Sequence, residues 1–228
     1  VPAASALLQQ LRTAGSDLPP SLSEQILALG RDATPLLLAL FDAHSTIDDR
    51  EEDCAECGMP HEHEWARLHA VDLLTEIRDP GAVEPLLKIF ESASSDDPIY
   101  DKLVERLPRF GGLAIEPILN AFARATDNMA TTEALCCISS ALGAKDDRIL
   151  CRLLDLLATR PRAGAVYLAE YGDSAACPAI LKVIITCLQE DNSAHAAEAM
   201  SDLVDAYAVL GGELPAGIRA KVEPLAAQ

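Results

Sequence analysis

Aromatic side chains are scarce in this chain: four Phe, four Tyr and one Trp among 228 residues. Runs of β-branched and aromatic residues, the usual announcement of a sheet, are nearly absent. The single candidate, ILKVIIT at 180–186, sits inside a longer helical pattern. What fills the space is Ala and Leu, which enter helices at low side-chain entropy cost and pack well there. The composition therefore predicts an all-α protein. No apolar run reaches the roughly 18 residues that a membrane span requires, so no membrane partner is expected. The first fifteen residues, VPAASALLQQLRTAG, lack a basic leader and a long apolar segment, and no signal peptide is read there. The first residue is Val1 rather than Met, which is compatible with a leader removed upstream.

Positive charge is also in short supply. Eighteen Lys and Arg face 36 Asp and Glu, for a net charge of −18. The densest basic spots, RLPRF at 106–110 and TRPR at 159–162, hold two arginines each. Such a surface repels nucleic acid and anionic lipid and disfavours both as partners, while a basic protein or peptide is allowed. Disulfide architecture is not indicated. The seven cysteines are odd in number, and five lie in helical, mostly apolar contexts, where a free thiol behaves as a small hydrophobe. Secreted disulfide frameworks are small and loop-rich, so a reducing cytoplasmic location is expected.

A repeated plan is present. EQILALGRDATPLLLALF (24–41), ARLHAVDLLTEIRDPGAVEPLLKIFE (66–91) and YDKLVERLPRFGGLAIEPILNAFARA (100–125) each read as a helix, a break and a second helix. The second helices carry Pro35, Pro85 and Pro117 near their starts, where a missing N–H costs nothing. Asp79-Pro80-Gly81 and Gly111-Gly112 read as turn material between helices. Three more degenerate units follow, at 131–160, 163–190 and 194–228, with Pro178 restoring the proline in the second of them. Apolar stripes recur at helical spacing: Leu86, Leu87, Ile89 and Phe90; Ile118, Leu119 and Phe122; Leu150, Leu153, Leu154, Leu156 and Leu157. Such stripes need a neighbouring hairpin to cover them.

The Ala-x-x-Leu first helix, the Asp-Pro-x-Ala-Val turn and the Pro-Leu-Leu opening of the second helix in 66–91 resemble a HEAT repeat of the short bacterial, phycobilisome-lyase type. The resemblance extends over 21–228, strongly in three units and weakly in the rest. It implies a right-handed α-solenoid of about six degenerate helix pairs, a single domain over 1–228, with a concave face that binds other molecules. It does not imply a reaction, because the architecture hosts scaffolds as well as enzymes.

One stretch breaks the period. Pro35 and Pro85 are 50 residues apart where about 30 are expected, so an insertion lies at about 43–64. Between Asp42 and Glu64 stand nine acidic residues and only Arg50 opposing them. Within it, DCAECGMPHEHEW places Cys54, Cys57, His61 and His63 inside ten residues. Zinc takes about four thiolate or imidazole ligands in a tetrahedron. Cys54-x-x-Cys57 is the spacing with which a tight turn brings two sulfurs onto one ion, and Gly58 eases that turn. His61 and His63 share a face if Pro60 keeps the backbone extended; His69 or His44 can replace His63. With almost no apolar residue to bury, such a loop would take its ordering energy from the metal, on the order of 10 kcal/mol.

Other readings stand beside this one. The stretch also reads as a solvated acidic loop without a ligand, or as a redox Cys54–Cys57 pair, which belongs beside a helix N-terminus in a thioredoxin-like fold. A metal-dependent enzyme using the loop is the main functional alternative. Deoxyhypusine hydroxylase, a HEAT-repeat enzyme, binds iron through His-Glu pairs in separate repeats; here HEHE at 61–64 is the only such place, and the ligand symmetry is missing. A phycobilin-lyase activity would rest on the repeat type alone. No catalytic residues and no organic cofactor are assigned. The resemblance implies a non-enzymatic protein-binding or scaffolding module. Cys136-Cys137 is read as one packed and one more accessible thiol, Cys177 as a core residue at a helix start, and Tyr167, Tyr171 and Tyr207 as candidates for a binding face.

The zinc reading is checked by elemental analysis of protein purified without added metal. About one zinc per chain is expected, lost in Cys54→Ser and in His61→Ala. A metal-free wild type contradicts it.

Overall fold

A computed structural model of the chain describes residues 2–42, 62–125, 128–189 and 194–226. Among the described residues there are thirteen α-helices, short 3₁₀ segments and no strand, so the all-α expectation holds. The helices are α1 (Pro2–Arg12), α2 (Pro20–Leu27), α3 (Thr34–Asp42), α4 (Glu62–Ile77), α5 (Pro80–Ser92), α6 (Pro98–Arg106), α7 (Ile115–Arg124), α8 (Met129–Ser140), α9 (Asp147–Thr159), α10 (Pro161–Tyr171), α11 (Cys177–Gln189), α12 (Ala194–Val209) and α13 (Ala216–Ala226). From α2 onward they fall into six successive pairs that match the six sequence units. Helix α1 has no counterpart in the repeat.

The helix starts are built from short acceptor side chains. Asp79, Asp97, Asn128 and Asp146 each sit in extended backbone and accept a hydrogen bond from an amide in the first turn, a contribution of about 1 kcal/mol per cap. Asp79 and Asp97 are followed by proline at the first helical position. This changes the reading of Asp79-Pro80-Gly81. It is not a turn but the capped start of α5, and the chain reverses at Arg78, which has φ 53°. Pro85 consequently lies inside α5 rather than near its start and cannot donate the helical hydrogen bond to Gly81. Pro35, Pro117 and Pro178 do lie in the first turns of α3, α7 and α11. Gly111-Gly112 is a break as expected: Gly111, with φ 58° and ψ −137°, kinks the 3₁₀ stretch Leu107–Ala114 in a conformation closed to residues with a Cβ.

The chain forms two compact units, Val1–Pro117 and Ile118–Gln228. In the first, α4 packs against α1, α2, α3 and α6, while α3 packs on α5 and α5 on α6 and on the stretch Leu107–Ala114. Leu73, Leu74, Leu86, Leu87, Phe90, Leu103 and Phe110 are fully buried between them. Each such side chain contributes roughly 1.5–3 kcal/mol of transfer free energy. The spacing of Trp65, Leu68, Val71, Leu74 and Ile77 predicts one buried side of α4; Val71 and Leu74 are buried, Trp65, Leu68 and Ile77 are half-buried, and Ala66, His69, Ala70, Leu73 and Thr75 are buried instead, because α4 is covered on several sides. Asp72 on α4 draws Lys102 and Arg106 of α6 to 2.8 Å each, and Arg67 lies over the Phe41 ring at 5.7 Å. The Arg106 contact is an ion pair without a well-aligned Nε hydrogen bond, and the same nitrogen lies 3.4 Å from Glu105 Oε1.

In the second unit, α8 packs on α9 and α10, α9 on α10 and α11, α10 on α12, α11 on α12 and α13, and α12 on α13. First helices thus touch first helices, and second helices touch second helices. The tightest approach is between consecutive pairs. A Cβ added to Gly164 of α10 would stand 2.5 Å from the Leu157 nitrogen of α9, so only glycine allows these two backbones to close. Leu153, Leu168, Ile180, Ile184 and Leu203 fill the interior.

Candidate functional site

The four residues with metal-ligand chemistry divide. Cys54, Cys57 and His61 lie outside the described residues, as does His44. His63 is the second residue of α4, so the extended backbone that would align it with His61 does not continue through it. His69, the alternative ligand, is committed elsewhere: it is buried, its Nε2 lies 2.9 Å from the Gly15 carbonyl oxygen and its ring stacks on Trp65. A carbonyl only accepts, so Nε2 carries the proton and His69 ties α4 to the segment after α1. Among the described residues no group of three or more His, Cys, Asp or Glu side chains is placed to hold a metal ion. No described helix is long and apolar enough to cross a membrane.

The first helices of the second unit carry a row of paired polar groups. Arg160 pairs with Glu133, Ser140 Oγ donates to Glu170 at 2.6 Å and Arg162 Nε donates to Asp202 at 2.8 Å. Cys137 and Tyr167 share a hydrogen bond within this row. Burial pushes the Cys137 thiol up and Glu170 adds to it, while the Tyr167 hydroxyl opposes both. Desolvation and the nearby Cys137 push Tyr167 up to about 12. The adjacent Cys136 is fully buried, with its thiol pushed up from 9.0 to about 12, chiefly by desolvation and then by Glu133. The pair divides as expected, one packed and one half-exposed, but neither is an activated nucleophile, because reactivity requires thiolate. Folding keeps Cys136 protonated, so its contribution to stability is complete below pH 9.0 and is lost as the pH rises towards 12.

The three tyrosines differ in role. Tyr171 is buried and structural: its hydroxyl accepts from the Asp146 amide at 2.6 Å and donates to the Asp146 carbonyl at 3.0 Å, with the Lys145 ammonium 4.1 Å from its ring centre. It lines no binding face. Cys177 opens α11 and directs its thiol at the Leu210 carbonyl, 3.7 Å away. Tyr207 does border a cleft. Helix α12 ends in a Schellman motif: Gly211, at φ 86°, donates to Ala208 and Gly212 donates to Tyr207. This folds the chain back over the Tyr207 ring so closely that a Cβ on Gly212 would meet Cζ at 2.5 Å. Between this loop, α12 and α13 is a cleft of about 310 Å³, with Val204, Ala208, Leu214 and Val222 as apolar walls and Glu213 and Arg219 at its edge. Spacing alone pointed only to Tyr207; the Gly-Gly after α12 was the available sign of a fold-back there.

Alkylation under native conditions at pH 8 checks the thiol assignments. Among the five described cysteines, exposed Cys151 is modified first and Cys136 last, with rates at least about tenfold apart. Fast labelling of Cys136 contradicts its placement.

Comparison with protein-family models, with curated proteins and with solved structures finds no match to this chain.

Proposed function

We propose that this chain is a non-enzymatic protein- or peptide-binding module of the HEAT-like repeat type: a right-handed α-solenoid of six degenerate helix pairs, acting in the cytoplasm as a scaffold. The observation that carries the reading is the contact pattern inside each unit. First helices pack on first helices and second helices on second helices, with helix pairs following one another in chain order, which is how stacked hairpins bury their stripes. Such an array leaves the outer face of every helix available to partners. In the second unit the titratable groups held away from their ordinary values are buried Cys136, half-exposed Cys137 and two tyrosines in packed or hydrogen-bonded settings, with partly buried Asp146 held low by Arg148.

The insertion at about 43–64 is the natural place for specificity, since it falls in sequence between two helix pairs and has an excess of eight negative charges between Asp42 and Glu64. In this reading zinc held by Cys54, Cys57, His61 and His63 orders it, and its field draws basic segments of a partner. A labelled Lys-rich peptide titrated into the intact protein tests the electrostatic part. Association is expected to weaken about tenfold or more between 50 and 300 mM salt, and the absence of any salt-sensitive association contradicts it.

A further inference from the structure

Two features of the second helices of the second unit occur together. Charge is the first. The chain as a whole carries twice as many acidic as basic residues, yet α9, α11 and α13 together hold five Lys and Arg against three Asp and Glu, while α8, α10 and α12 hold one against five. Helix α11 has no acidic residue at all. Lys182 at its centre and Lys221 on α13 are exposed and pair with no described carboxylate, and Arg152 on α9 is exposed, its guanidinium 5.7 Å from the Phe122 ring centre.

Partial apolar exposure is the second, and it is shared with the first helices, where Met129, Val166 and Val209 are 46%, 47% and 70% exposed. Helix α9 covers its leucines almost completely, with Leu150, Leu153, Leu156 and Leu157 all buried. Helix α11 is more apolar but buries only Ile180 and Ile184 fully. Leu181 and Leu188 are half-buried and Ile185 is 36% exposed. These three recur at i, i+4 and i+7, forming one shoulder of the helix, with Lys182 on its solvent side. Helix α11 lies between α9, whose exposed Arg148 and Arg152 are matched by exposed Asp147 and Asp155, and α13, which carries Arg219 and Lys221.

We infer that the outer face of α9, α11 and α13 docks an acidic peptide segment that carries apolar side chains. The apolar shoulder takes the anchors, and Arg152, Lys182 and Lys221 meet the carboxylates. A peptide fits better than nucleic acid or an anionic bilayer because the contact involves only a few charges. Long runs of phosphate would meet the net −18 of the whole chain, whereas a short segment feels chiefly the cations within a Debye length, about 8 Å at physiological salt. The inference rests on the binding-module reading and adds a second face, opposite in sign to the acidic insertion.

Fluorescence anisotropy on the intact protein tests it, using a short fluorescein-labelled peptide of Glu and Leu beside a Lys and Leu peptide, a Glu and Ser peptide and phosphatidylserine-containing vesicles. The Glu–Leu peptide is expected to bind, about tenfold or more weaker to Arg152→Glu/Lys182→Glu and to Ile185→Asp, with the Glu–Ser peptide much weaker and the vesicles unbound. All three positions are exposed, and unchanged thermal melts of the variants show that the fold is kept. The inference is overturned if the Glu–Leu peptide does not bind, if it binds the variants as tightly as the wild type, or if the vesicles bind in its place and are lost in the charge-reversal variant. Failure of the Glu–Leu peptide while the Lys–Leu peptide still binds sinks this face alone; failure of both sinks the binding-module reading as well.

Discussion

Within each compact unit the helices depend on being covered by their neighbours. The described helices run from 8 to 16 residues, and isolated helices below about 12–15 residues are marginal in water. Caps and first-turn prolines fix where each begins, at about 1 kcal/mol each, but cannot hold it. The stability comes from stripes that close against neighbours in the same layer and in the facing one. With only nine aromatic residues to fill space, the layers must approach closely on small side chains, and Gly164 against Leu157 is the extreme of that requirement.

The same constraint organises the polar groups. Charges that fall between first helices are paired across them, as in Asp72 with Lys102 and Arg106, or Glu133 with Arg160. These contacts are partly solvated and worth little individually; they serve to let charged residues sit beside a packed seam. The thiols follow the same rule. Cys136 is a packing residue with its proton held on, and it offers no chemistry at neutral pH.

The helix pairs were legible in the sequence because the 3.6-residue stripes and the recurring prolines are local signals. The limits of that reading are equally physical. Asp-Pro-Gly has the chemistry of a turn and of a capped helix start, and only the cap bond from Gly81 to Asp79 distinguishes them. Helix α1 carries no repeat signature, so nothing in spacing announced that Leu11 would be fully buried. Tyr171 and Tyr207 look alike in sequence; one is clamped by Asp146 and the other borders a cleft, a difference made by tertiary contacts. Of the metal-ligand set, sequence supplied identity and spacing. Cys54, Cys57 and His61 lie outside the described residues, His63 falls in the first turn of α4, and His69 is held by Gly15.

The central claim is that consecutive pairs are held by close approach and stabilise one another, and Gly164→Ala tests it most directly because the added methyl wedges α9 from α10. Thermal or denaturant unfolding combined with hydrogen exchange is the measurement. The account predicts a loss of about 1–3 kcal/mol, with protection falling together in α8, α9, α10 and α12. Unchanged stability, or a loss of protection confined to α10, would contradict it.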